Sequence, residues 1–179
     1  MHRTQLLNLL TKYQPPNTQE AVYKQQMVEF INHFPNCFER TLAIGHITAS
    51  SWLLNHDMSQ VLLMHHAKLD KWFQLGGHCD GDSDVLAVAI KEAQEESGMQ
   101  AIEAVSKDIF DIDIHMIPAN SREQAHYHYD VRFLLRVSQY EKLVQNRESK
   151  ELRWIGAQRA ELPTTNASIV RMFEKWQQI

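Results

Sequence analysis

The feature that most constrains this chain is a glycine-rich turn that runs directly into a helix loaded with acids. Gly76-Gly77-His78-Cys79-Asp80-Gly81-Asp82-Ser83-Asp84 is followed by Val85 to Ser97 and closed by Gly98-Met99. Ser83 or Asp84 supplies an N-cap and Gly98 a C-terminal stop, so a helix is predicted over 85–97. Glu92, Glu95 and Glu96 then stand at i, i+3 and i+4 and share a face. Leu86, Ala89, Ile90 and Ala93 form a separate apolar stripe, the side expected to pack. Like-charged neighbours at i,i+4 destabilise a helix by roughly 0.2–0.5 kcal/mol per pair. A bound cation removes that repulsion, and an oxygen-rich donor set suits magnesium, calcium or manganese. Taken alone, three such acids read as a solvated face. The glycine turn at a fixed distance upstream argues for the cation.

The turn and helix resemble the signature box of the Nudix hydrolases. That box runs glycine, five residues, glutamate, seven residues, arginine-glutamate, an apolar residue, any residue, glutamate-glutamate, any residue, glycine and an apolar residue. Gly77, Glu92, Glu95, Glu96, Gly98 and Met99 fall in register, with Ala93 at the inner apolar place. Two positions depart: Ser83 replaces the first glutamate and Lys91 the arginine. Before the box, Gln74 takes a usually apolar place and Leu75 that of a common proline. The box covers 23 residues, and the supporting pattern extends from about Ile44 to Ile155.

The resemblance implies an α/β fold, a Nudix-type α/β/α sandwich with a mixed sheet. It also implies a Mg²⁺-dependent hydrolase, with Mn²⁺ as a substitute, that cleaves a pyrophosphate bond in a nucleoside diphosphate derivative. Glu92, Glu95 and Glu96 become the metal ligands and catalytic acids. Lys91 would fix Glu92, as a point charge without arginine's planar fork. Gly76, Gly77, His78 and Trp72 are the candidate substrate-binding residues, with Tyr127 as a second ring that could stack a base or sugar. The family often recruits a further acid from a loop outside the box, and Glu123, Glu148 and Glu151 are the candidates. Ser83 cannot replace a carboxylate; Asp82 or Asp84 could do so after a small loop shift. Ser83 and Lys91 also keep open a second class, a binding module for a nucleotide-like metabolite that does not cleave it. An isomerase on the same fold rests on analogy alone.

At 179 residues, one domain over 1–179 is the natural count and can bury a proper core. A net charge of −4 argues against a general nucleic-acid binder. It does not exclude a small phosphorylated substrate, because a bound metal reverses the local field. Cys37 and Cys79 are far apart and form no disulfide framework, which fits a reducing compartment. Cys79 reads as a loop filler rather than a nucleophile. No stretch approaches the ~20 apolar residues of a membrane helix. Asn8 and Lys12 interrupt any signal-peptide core, so a cytoplasmic protein is expected.

Residues 1–38 form a helical extension to the family's minimal core, with a packing or homodimerisation role and a dedicated substrate cap as the alternative. It comprises an amphipathic helix over 4–13, ended by Pro15-Pro16, and a second helix from Thr18, as cap, to about His33. The second helix carries Val22, Met27, Phe30, Ile31 and Phe34 at helical spacing. Strands are predicted over 46–54, 60–66, 72–75, 110–117, 125–137 and 151–155, and a C-terminal helix capped by Asn166 or Ser168. The strands 110–117 and 125–137 alternate, placing Asp111, Asp113 and His115 beside His126, His128 and Asp130. That polar set reads first as the solvent-facing side of a half-buried sheet, and secondly as a transition-metal site.

Overall fold

In a computed structural model, which describes residues 2–120 and 124–179, the chain is organised around one central strand. The elements run α1 (Thr4–Lys12), α2 (Thr18–His33), β1 (Gly45–Leu54), β2 (Gln60–His66), β3 (Lys71–Phe73), β4 (Leu75–His78), α3 (Val85–Ser97), β5 (Ile102–Ala104), β6 (Asp111–Ile117), β7 (His126–Val137), β8 (Ser149–Gly156) and α4 (Ala167–Trp176). β1 pairs parallel with β7, from Gly45 beside Tyr127 to Leu54 beside Arg136. On its other edge it pairs antiparallel with β4, Thr48 beside His78 and Ser51 beside Leu75. β1 meets β2 at Leu54 and Val61. β7 carries β5 and β6, and β2 carries β3 and β8. The result is a mixed, curled sheet.

Alternation along the strands gives the sheet two faces. Ile47, Ala49, Leu53, Val131, Phe133 and Leu135 point to one side and pack with α1, α2 and α3. Trp52, Leu54, Val61, Leu63 and Leu134 point to the other and pack beneath Ile169, Met172, Phe173 and Trp176 of α4. The α/β/α layering therefore follows from apolar residues on both sides of β1 and β7. Among the described residues, no helix is long and apolar enough to cross a membrane.

The predicted elements recur with informative shifts. The N-terminal extension belongs to the main core: Leu6, Leu10, Met27 and Ile31 are fully buried, and Phe30 stacks on Tyr129 at 3.9 Å between ring centroids. Asn17, not Thr18, caps α2, because its side chain reaches back to the Glu20 backbone N–H at 2.9 Å. Val22 lies on the outer side of that helix and is exposed. Asp84 caps α3, accepting from the Ala87 N–H, and Gly98 ends it in the left-handed conformation. The single strand predicted over 72–75 is broken at Gln74 into β3 and β4, and β5 is additional to the prediction.

The polar alternation of β6 and β7 is a correction. Asp111, Asp113, Asp130 and Arg132 do not face solvent; all are buried. Arg132 sits among the three carboxylates, at 3.0 Å from Asp111, 3.4 Å from Asp113 and 2.7 Å from Asp130. Arg171 and Lys175 of α4 close the network from above, each bonding Asp111, and Lys175 also meets Glu20 of α2. Thr48 and Ser50 donate to Asp130 from β1. Alternation puts Arg132 on the same face as Asp130, but the sequence could not show the cover, because Arg171 and Lys175 come from α4, some 60 residues away.

Burial alone would raise the Asp111 and Asp113 carboxyls. The hydrogen bond from Arg171 and the charges of Arg132 and Lys175 outweigh it at Asp111, and His115, Arg132 and Arg171 do so at Asp113. Both are held below the ordinary value, so their contribution to stability is present above the unfolded pKa near 3.9 and lost as pH falls through the folded values. Arg132→Met leaves buried carboxylates uncompensated and should cost about 3–5 kcal/mol in denaturant unfolding. The wild-type chain should keep its melting temperature down to about pH 4 and lose it below.

Candidate active site

α3 presents two of its three glutamates to the glycines of β4. Its buried stripe is centred on Val85, Val88, Ala89 and Ala93 and runs on to Glu96, with Leu86 and Ile90 only half-buried. That is a small rotation from the predicted stripe, and it moves the acids inward. The Glu96 side chain is 6 % exposed, and its Oε2 accepts the Gly76 N–H at 2.8 Å. Glu92 is half-buried and lies against Gly77, where a Cβ would meet its Oε2 at 2.3 Å. Glu95 stays on the exposed flank. Lys91 Nζ stands 3.7 Å from Glu92 Oε1 and 3.6 Å from Glu95 Oε1, a single-point bridge between the two.

These carboxylates are crowded and short of positive charge. Burial pushes Glu96 up to about 8, against the Gly76 hydrogen bond, and the charges of Glu92, Glu148 and Glu95 add to it. Glu92 is also raised, by burial first, with Lys91 opposing and Glu95, Asp80 and Glu148 adding. The donor set is hard oxygen, and the missing side chain of Gly77 is what lets the Glu92 carboxylate lie against the strand. Glu92 and Glu96 therefore fit a divalent cation of the magnesium or manganese kind.

Glu148 reaches this corner from outside the helix. The loop before β8 folds back on α3: the Val144 N–H donates to Ser97 O at 2.8 Å and Asn146 Nδ2 to Glu95 O at 3.3 Å. Asn146 Oδ1 then accepts the Glu148 N–H at 2.9 Å. Of the other candidate acids, Glu151 is half-buried and paired with Arg153, and Glu123 lies outside the described residues. Asp84 is used as the helix cap, and Asp82 Oδ1 accepts the Asp84 N–H at 2.9 Å, so both acids near Ser83 are engaged in starting the helix.

The remaining predicted contacts disperse. Trp72 lies in β3, its ring stacked on His65 and covered by the Arg153 guanidinium at 4.7 Å. Tyr127 lines a different cavity of about 500 Å³, with Phe34, Ile44, Ile114 and Tyr129. Gln74 donates to Ser50 and Asp130, which gives a polar residue its place before the glycines. Cys79 is buried in the main core, and burial followed by nearby carboxylates raises its thiol, so it is a core filler rather than a nucleophile.

His78 turns to the sheet face opposite Gly77. The transition-metal set that is the second reading of β6 and β7 is not assembled, because Asp111 and Asp113 are held by cations. Among the described residues, the group with ligand atoms within 4.8 Å of one another is instead His46, His78 and His128. Nothing in the sequence marks His46 as a partner, because the parallel pairing that puts it beside His128 leaves no local trace.

Known proteins share the fold that carries this site. The NUDIX domain family model matches residues 45–176. Among solved structures, an Ap4A hydrolase binary complex from C. elegans is 15 % identical with a TM-score of 0.59, covering 74 % of this chain and 95 % of that one. A NUDIX-family hydrolase from Clostridium perfringens is 22 % identical with a TM-score of 0.52, covering 74 % and 97 %. A MutT protein from Methanosarcina mazei Go1 is 17 % identical with a TM-score of 0.53, covering 76 % and 96 %. At these identities the likeness is one of fold. No curated protein matches the sequence.

The two glycines of β4 should respond differently to an added methyl. Gly77→Ala meets only the flexible end of Glu92. It should leave the melting temperature nearly unchanged while displacing that carboxylate and weakening Mg²⁺ binding in calorimetry. Gly76→Ala runs into Ser50 and the Ala49 carbonyl of β1, at 2.1 and 2.8 Å, and should lower the melting temperature itself.

Proposed function

Because the chain belongs to the Nudix family, we propose that it is a divalent-metal-dependent hydrolase of a pyrophosphate bond in a nucleoside diphosphate derivative. The observation that carries this reading is the pairing of Glu92 and Glu96 against Gly76 and Gly77, with Glu148 brought in from the β8 loop. A divalent cation held there would neutralise charge on the phosphate oxygens and lower the pKa of an attacking water. Glu92 and Glu96 serve as its ligands. Glu95, more exposed, completes the acidic set from the flank, and Lys91 restrains both neighbours. The Gly76 N–H holds Glu96 in place without a side chain in the way. Glu148 is the general base, since it approaches the same corner from a separate element. Gly77 borders the path that the phosphates take, whereas His78 faces the other side of the sheet.

A second reading is favoured by three observations. Ser83 supplies no carboxylate, both nearby aspartates are engaged, and Lys91 makes single-point contacts where a forked partner would make two. These point to a module that binds a nucleotide-like metabolite without cleaving it.

Incubation with Mg²⁺ and a panel of nucleoside triphosphates, nucleotide sugars and dinucleotides, Ap4A included, separates the two. Product masses showing a broken phosphoanhydride support the hydrolase; tight calorimetric binding with intact ligand supports the sensor. Glu96→Gln should reduce turnover by orders of magnitude without unfolding the chain, and Glu148→Gln by about 10²–10⁴-fold with metal affinity largely kept. Because a proton must leave Glu96 before it can bind a cation, Mg²⁺ should raise the melting temperature more at about pH 9 than at about pH 6. That difference should vanish in Glu96→Gln.

A further inference from the structure

We propose that His46, His78 and His128 bind one divalent transition-metal ion of the zinc type, on the sheet face opposite α3. The strand register builds this site. His46 of β1 lies directly beside His128 of β7, and His78 of β4 faces the same side from β1's other edge. Ring centroids are 5.0 Å apart for His46 and His78, 4.8 Å for His46 and His128, and 5.1 Å for His78 and His128. One ligand nitrogen from each ring lies within 4.8 Å of the others. Tetrahedral zinc with bonds of about 2.0–2.1 Å needs nitrogens about 3.3 Å apart. Side-chain rotations that close the group by no more than about 1.5 Å therefore suffice.

The donor chemistry selects the ion. Three imidazoles and no carboxylate suit zinc, copper or nickel rather than magnesium. His46 is almost fully buried, while His78 and His128 are half-buried, so the fourth position opens toward solvent for water or a phosphate oxygen. Burial first, and then crowding by His46, His115, His78 and His126, holds His128 neutral at ordinary pH, the form a metal requires. His126 acts as a positioning residue. Its Nδ1 lies 2.8 Å from Gln124 O, and its Nε2 stands 3.3 Å from His128 Nε2. A ring nitrogen tied to a backbone carbonyl fixes which nitrogen faces the site. This centre is distinct from the glutamate corner, because Gly77 and His78 are adjacent in a strand and point to opposite faces.

The test uses the full untagged chain, stripped with a chelator and titrated with Zn²⁺ in the presence of excess Mg²⁺. The expected result is one tightly held zinc per chain after desalting, measured by elemental analysis. His128→Ala and His78→Asn should each reduce this to background, and His126→Ala should weaken binding roughly 10–100-fold. Glu96→Gln should leave zinc untouched, which keeps this test independent of the hydrolase proposal. Far-UV circular dichroism of the stripped variants checks that they fold. His78 sits half-buried at a strand end, so its variant serves if a more buried substitution disrupts the sheet. Co²⁺ in place of zinc should give the visible absorption of a tetrahedral imidazole site in the wild type and lose it in His78→Asn. Substoichiometric zinc in the folded wild type, retention of zinc by the folded histidine variants, or its loss in Glu96→Gln would each overturn the proposal.

Discussion

The close approach of α3 to β4 is the constraint on which the rest of the site depends. A helix carrying three acids would normally turn them to water. Here Gly76 and Gly77 present bare backbone, so Glu96 can accept a main-chain N–H and Glu92 can occupy the space a methyl group would fill. Both carboxylates are then partly removed from solvent, and their protons are held more tightly. An acidic helix face becomes a cluster of poorly hydrated carboxyl groups whose protons a cation must displace. That is the condition under which a divalent cation competes well with water.

The second organising contact is the parallel pairing of β1 with β7. It aligns Thr48 with Asp130 and Ser50 with Arg132, and it aligns His46 with His128. One sheet face is thereby divided along its length. Beneath α4 it is apolar, around Trp52 and Leu134. In the middle it is an ion network in which Arg132 is shared by three aspartates. At the end of β4 it is a patch of imidazoles. The network is a poor source of net stability, since desolvation offsets much of the attraction, but its partners come from α2, β6, β7 and α4 and fit only one arrangement of them. It also explains the N-terminal extension. Glu20 of α2 joins the network through Lys175 while Met27, Phe30 and Ile31 enter the core, so the extension is an integral layer of the domain.

Much of this was legible in the chain itself. The turn, helix and stop from Gly76 to Gly98 follow from local rules, because a cap, a periodic apolar stripe and a left-handed glycine act over a few residues. β6 and β7 follow from alternation, β1 and β2 from β-branched and apolar runs around a turn, and the ends of α3 agree with the local signals, whereas the short β5 leaves no such mark. The misreadings share one cause. Asp111 and Asp113 looked solvent-facing because their cationic partners, Arg171 and Lys175, lie in a distant helix. The apolar stripe of α3 was set too far round, since the sheet that decides it is built from strands remote in sequence.

Sequence alone determined the helices and the longer strands, the register of the box and the chemical types available at each position, because those are properties of neighbours along the chain. Tertiary structure decided which acids converge. It drew Glu148 in through the loop that docks on Ser97 and Glu95, and left Glu95 itself at the rim. It also decided that His46, His78 and His128 should meet, through a parallel pairing between strands some 80 residues apart. Such a pairing is set by the packing of whole layers, and no local pattern records it.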